Sequence, residues 1–410
     1  ELLKSGGFVL GVGRKKQGLL LTLVLLLLTP VLASSFQSFH LGEKKLVSEA
    51  VTNLKLAQYE DWEPIIIQNA DDLASYGFPG NGTELNPYVI ERLNISTLDE
   101  TCIWISDVNV SFAIRNCRIQ SQRTSFPTIR LTNIENVTIE ENIILGGFDG
   151  IRGTWTKNLR ILNNTICDGG NGLRFINSLN ITAEDNSVYR NAVGVVLSNT
   201  SQCVFSTNRI YGNTHAGFMV DYASSLNAFL SNIVGWNDIR TFTSINAEDY
   251  GNNNMWQANA WSDYASPGPY NVGGESNSQD SFPTLLLDRE APVTNSPEDV
   301  KMGEADNKNV TWHPRDAYPL EYTIRRGALT ISRGVWLENE YTVDLRDLEV
   351  GDYILMLSVE DGSGNTTDDI VEVSVLYEPF KDIATELVAY ASALSVVLFL
   401  VTLCLLKRRT

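Results

Sequence analysis

One short phrase recurs five times between residues 137 and 237: VTIEENII, LRILNNTI, ITAEDNSV, CVFSTNRI and AFLSNIV. Each carries an asparagine, at Asn142, Asn164, Asn186, Asn208 and Asn232, so three steps of 22 residues are followed by one of 24. An apolar residue follows two places later (Ile144, Ile166, Val188, Ile210, Val234) and another precedes by three (Ile139, Ile161, Ala183, Phe205, Phe229). A second apolar burst comes downstream, at Gly150-Ile151, Gly172-Leu173, Gly194-Val195 and Gly217-Phe218. A fixed period of this length is the signature of a solenoid and constrains the fold more than any other feature.

Each repeat is too short to fold alone and too rich in Val, Ile, Thr and Phe for a helical unit. Leu159 and Ile161 alternate, Ile166 lies beyond a bend, and Leu173 and Phe175 form a third run. Three short strands and three turns per repeat predict an all-β parallel β-helix, each strand pairing with its copies about 4.8 Å above and below. The asparagine column is expected at a bend, because Asn tolerates the left-handed region and stacked amides can hydrogen-bond along a ladder. In AIRNCRI the same register puts Cys117 in the asparagine's place.

The chain has 410 residues and a net charge of −18, which allows two or three domains and argues against a nucleic-acid partner. Of its five cysteines, Cys117 falls at a bend, Cys167 and Cys203 at other repeat positions, and Cys404 in an apolar terminal stretch. Free thiols are expected rather than a disulfide frame. The three histidines, His40, His215 and His313, are far apart and give no zinc pattern. No cofactor is expected.

Along the chain, Arg14, Lys15 and Lys16 precede an apolar run ending near Ala33, which predicts a signal peptide over 1–34, or an N-terminal anchor. A linker over 35–62 leads to a β-helix over 63–287. Its first part is read as an N-terminal cap, with a strand at Ile65–Ile67 and a short helix entered at Asn69. After Asn237 the phrase decays, and Trp256, Trp261, Tyr264 and Tyr270 are read as an aromatic plug on the core end, or else a sugar-stacking surface. Period-two strands divided by turns predict an immunoglobulin-like sandwich over 288–377, acting as a spacer. A juxtamembrane stretch (378–386) precedes 387–406, twenty residues without a charge, and Lys407, Arg408 and Arg409 follow in the stub 407–410. That length spans a bilayer once, and the basic stub places the C-terminus in the cytoplasm, so the expected location is the cell membrane, single-pass type I, with both β domains outside. The sequons at Asn81, Asn94, Asn109, Asn136, Asn163, Asn180, Asn199, Asn309 and Asn365 fit a glycosylated exported chain.

Three chemistries are open. Glu141 and Asp185 occupy one column two coils apart, about 9.6 Å, near the inverting-glycosidase separation of about 6.5–9.5 Å, with Glu140 and Glu184 repeating the arrangement one place earlier. Tyr189 and Tyr211, read as outward beside Asn191 and Asn213, could form a flat sugar platform. Asp361, Asn365 and Asp368 surround one turn that could hold calcium, against the simpler reading of exposed turn acids.

The repeats, the PGNGT segment in the cap and the ending NNMW…AWSDY…GPY resemble the NosD-like right-handed parallel β-helix family over roughly residues 63–287. The resemblance implies a right-handed β-helix. Named members are periplasmic accessory proteins for a copper enzyme, and related domains include carbohydrate-binding proteins and sugar hydrolases. Copper handling wants Met, His and Cys within reach of one another, and here only His215 and Met219 share a coil, so a copper role is not expected. The expected function is binding or adhesion to glycans at the envelope. A polysaccharide-active hydrolase or lyase on the β-helix flank and a structural envelope component are the alternatives.

Overall fold

The computed structural model describes residues 59–98, 100–122, 125–237, 245–265, 267–304, 306–377, 390–392 and 395. The expected signal segment and the expected span at 387–406 lie outside these residues, wholly or almost so. Among the described residues no helix is long and apolar enough to cross a membrane.

The 22-residue phrase becomes one coil of a right-handed parallel β-helix with about eight coils. Three sheets form its flanks. Sheet 1 has ten strands, from Glu60–Trp62 through Ile143–Gly146, Thr165–Cys167, Ser187–Tyr189 and Arg209–Tyr211 to Thr284–Leu285. Sheet 2 has eight, from Ile65–Ile67 through Ile129–Thr132, Asp149–Thr154 and Asn171–Ile176 to Ala247–Asp249. Sheet 3 has ten, including Tyr88–Glu91, Glu135–Glu140, Lys157–Leu162 and Leu179–Glu184. Register follows the repeat: Ile144 pairs with Ile166, then Val188, Ile210 and Val234. Each of these side chains is fully buried, and burial of one such side chain contributes about 1.5–3 kcal/mol.

The asparagines turn inward. Nδ2 of Asn142 donates to Oδ1 of Asn164 at 2.9 Å, and Asn164, Asn186, Asn208 and Asn232 continue the ladder to Asn259. Each also reaches a strand carbonyl, as Asn186 does with Ile161 at 2.8 Å. At the top, the Cys117 N–H donates to Asn142 Oδ1, in the register expected. The left-handed residue is the one before the asparagine: Glu141, Asn163, Asp185, Thr207 and Ser231 all have φ between 54° and 57°. The expectation that the asparagine itself takes the left-handed bend is therefore corrected. The amide is selected for satisfying buried backbone groups at the corner, which would otherwise be left unpaired.

The N-terminal end is covered by α1 (Ala70–Ser75), capped by Asn69, whose side chain accepts from the N–H groups of Asp71 and Asp72, while Leu73 seals the core. At the other end Phe205, Phe229 and Trp256 stack in line. Trp261 is buried beside them, and the indole N–H groups of Trp256 and Trp261 donate to Asp249 and Asp280. Tyr264 and Tyr270 pack against this end, so the aromatics act as a plug. The four described cysteines are free and buried. Burial pushes the Cys117 thiol up to about 11 and those of Cys102 and Cys203 up to about 12.

The C-terminal module has its own core, including Trp312, Ile324, Leu357 and Val373. A five-stranded sheet contains the long pair Gly351–Asp361 and Thr366–Leu376, and a two-stranded sheet joins Asn309–Trp312 to Tyr341–Asp344. The module does not hang clear as a spacer: it packs against the outer face of sheet 1.

Candidate functional site

The outward column of sheet 1 runs Leu145, Cys167, Tyr189, Tyr211. The two tyrosine rings stack, with centroids 5.0 Å apart and planes 9° apart. They point out of the solenoid core, but not into solvent: Tyr189 is 3% and Tyr211 2% exposed, under Leu320 and Tyr318 of the module. The Tyr189 hydroxyl donates to the Trp336 carbonyl at 3.4 Å and that of Tyr211 to the Pro319 carbonyl at 2.9 Å. Burial raises both phenols well above the usual tyrosine range. The open sugar platform is thus corrected, because flat apolar rings beside a second domain are covered by it. Asn191 and Asn213 are corrected too. They form a second internal ladder, Asn191 to Asn213 to Asn237, and are fully buried.

Arg190 is the polar edge of this junction, paired with Asp168 of the β-helix and Glu321 of the module. With Gly212, Thr214, Leu320 and Glu360 they line a cleft of about 350 Å³. Burial and then the neighbouring Glu321 raise the Glu360 carboxyl above its ordinary range.

Glu141 and Asp185 stand on exposed left-handed corners of alternate coils, two rungs apart with Asn163 between them. Neither lines this cleft or the groove described next. The calcium set is re-sorted by the fold. Asp361 is buried and converges with Asp288 and Asp316, their carboxylate oxygens all within 4.8 Å of one another. Asn365 donates its amide to Asp361 at 2.8 Å, and Asp368 lies exposed on the following strand. Asp288 and Asp316 both bind protons more tightly than ordinary carboxyls, chiefly through burial, with repulsion from Asp361 adding to it against the opposing backbone N–H bonds from Glu290 and Tyr318. Sequence order concealed these two acids, because they arrive from the connecting segment and another loop.

Sheet 3 keeps an open flank. Its groove, about 390 Å³, is lined by Asn136, Asn158 and Asn180, with Thr138, Arg160, Thr182 and Glu84 among the neighbours. The three asparagines form an external amide ladder at 3.0 and 2.7 Å, each in the left-handed conformation. Asn136 and Asn180 also head two of the expected sequons, and none of the nine sequon asparagines is buried. On sheet 2 an outward column places Trp104, Arg130, Arg152 and Arg174 on successive rungs. These arginines repeat at the same 22-residue spacing as the asparagines, a signal hidden because their intervening residues differ from coil to coil.

A family model described as the right handed beta helix region matches residues 81–260. No curated protein matches the chain. Among solved structures, the enzymatically active domain of tailspike protein 2 from bacteriophage CBA120 is 10% identical, with 78% of this chain and 66% of that one covered and a TM-score of 0.30. A periplasmic alginate epimerase is 14% identical, with 52% and 50% covered and a TM-score of 0.26. Fibronectin(III)-like modules of Clostridium thermocellum CbhA are 15% identical, with 21% and 96% covered and a TM-score of 0.17.

Proposed function

We propose that the protein is a surface-displayed β-helix that binds glycans through the groove on sheet 3. One observation carries this reading: a pre-formed, solvent-open groove offers a ladder of amides, threonine hydroxyls and a guanidinium, each able to pair with sugar hydroxyls. Display at the membrane rests on the charge-free stretch 387–406 with its basic flank, and the C-terminal module is read as immunoglobulin-like. The side chains stand on rigid paired strands, which hold them at rung spacing without further ordering on binding.

The test is a glycan array probed with full-length protein made in a host that adds no N-glycans, because sugars on Asn136 or Asn180 would fill the groove. Selective binding is expected, with affinity at least tenfold lower for Asn158→Gly/Arg160→Ala, glycine keeping the left-handed φ and so the melting temperature close to that of the parent. Product release from a polysaccharide, lost in Glu141→Gln or Asp185→Asn, would replace binding by catalysis. Absence of both, with an envelope defect on deletion, would favour a structural role.

A further inference from the structure

Beyond the sheet 3 groove, the outer face of sheet 2 carries an organised cationic strip. Arg130, Arg152 and Arg174 are directly paired neighbours on three consecutive strands, so their backbone positions recur at about 4.8 Å along the solenoid axis. Like charges placed opposite one another across paired strands are destabilising. Here they recur in a chain whose net charge is −18. Folding has not neutralised them all. Arg152 pairs with Asp149. Arg130 lies over the Trp104 ring, 4.7 Å from its centroid, and Nε of Arg174 is buried with no hydrogen-bond partner. Nε1 of Trp104, at the head of the same column, is likewise buried and unpaired.

Exposed aromatic rings border the strip. Phe148 follows the corner turn before the Arg152 strand and lies 5.4 Å from the Arg152 guanidinium carbon, and Trp155 follows the end of that strand. Phe148 is 40% and Trp155 59% exposed. A repeating row of guanidiniums flanked by flat rings matches a linear chain that alternates carboxylates with apolar sugar faces. We propose that this face binds an acidic, carboxylate-bearing polysaccharide laid along the solenoid axis, independently of the sheet 3 groove. Charge complementarity selects the ligand, and the paired strands fix the spacing.

The experiment is isothermal titration of the full-length chain, in neutral detergent, with oligogalacturonates of increasing length. Binding is expected to strengthen with length until the chain spans the three rungs and reaches both Arg130 and Arg174, then level off. It should weaken as salt rises and resist competition by a neutral glucan of equal length. Arg130→Gln/Arg174→Gln should lower affinity at least tenfold with a thermal transition no lower than the parent's, while Arg130→Lys/Arg174→Lys retains more of the affinity. If the Gln pair fails to fold, Trp155→Ala, on an exposed corner, should still weaken binding. Arg160→Ala in the groove should leave oligogalacturonate affinity unchanged, which separates this inference from the proposed function. Unchanged affinity in the Gln pair, equal competition by the neutral glucan, or preference for anionic phospholipid vesicles would overturn it.

Discussion

At the scale of single residues, the same amino acid serves opposite ends. Asn186 inside the solenoid donates to Asn208 and to the carbonyls of Ile161 and Glu184, and accepts the Asn164 backbone N–H. Asn158 outside bridges Asn136 and Asn180 in reach of solvent. Asn186→Ala strands several buried groups at about 1–3 kcal/mol each, so urea denaturation should show a loss of about 2–4 kcal/mol, the remaining partners relaxing in part. Asn158→Gly, which keeps the left-handed φ of 54° and loses only solvent-reachable amide bonds, should change stability by less than about 1 kcal/mol. The acid triad predicts a pH effect. The folded Asp288 and Asp316 carboxyls hold protons more tightly than the unfolded chain does, so their ionisation disfavours the native state as pH rises through the raised values. Asp316→Asn should therefore raise the melting temperature at pH 7 in EDTA. The gain should vanish below about pH 3.9, where ordinary aspartates protonate. A gain that persists into acid would contradict the charge account.

At the scale of elements, a coil is stable only while a neighbour covers its core. Removing the C-terminal aromatic plug should therefore make that end the one from which unfolding begins, because each coil of a quasi-one-dimensional stack contacts only its neighbours. Trp261→Ala removes a fully buried ring and should cost about 3–5 kcal/mol. Hydrogen exchange should show lost protection first in the strands near Phe229 and Trp256, with the strands near Ile95 and Ile119 protected longest. Uniform loss of protection would show that the coils unfold as one unit.

At the scale of the whole molecule, the C-terminal module converts one β-helix flank into an interface. Gly362 lies close against the β-helix: a Cβ there would be 2.5 Å from Cδ2 of Tyr211. Gly362→Val should pry the module from sheet 1 while leaving both cores intact. Calorimetry should then resolve two transitions. Cys167, which is 1% exposed and belongs to the buried interface cluster, should become reactive to a thiol reagent, with Cys117 and Cys203 still protected. An unreactive Cys167 would mean that the module does not shield it.

The repeat determined the solenoid by itself: three strands per coil and the inward apolar columns are written locally, once per 22 residues, and the segments that cap its two ends are each written locally as well. The periodicity also distinguished inward from outward positions along each strand, placing Ile166 in the core and Tyr189 on its outer side. It failed at the corners, where Asn191 and Asn213 turn inward, because a bend breaks the two-residue alternation from which orientation is read. It could not say which outward faces stay open. That was decided by contacts such as Tyr211 with Pro319, 108 positions apart, and Tyr189 with Trp336, 147 positions apart. No local pattern encodes such pairings. Docking on sheet 1 removed the tyrosine platform from solvent and left the amide groove and the arginine strip facing outward, while the folding of the C-terminal segment itself assembled the acid triad from distant loops.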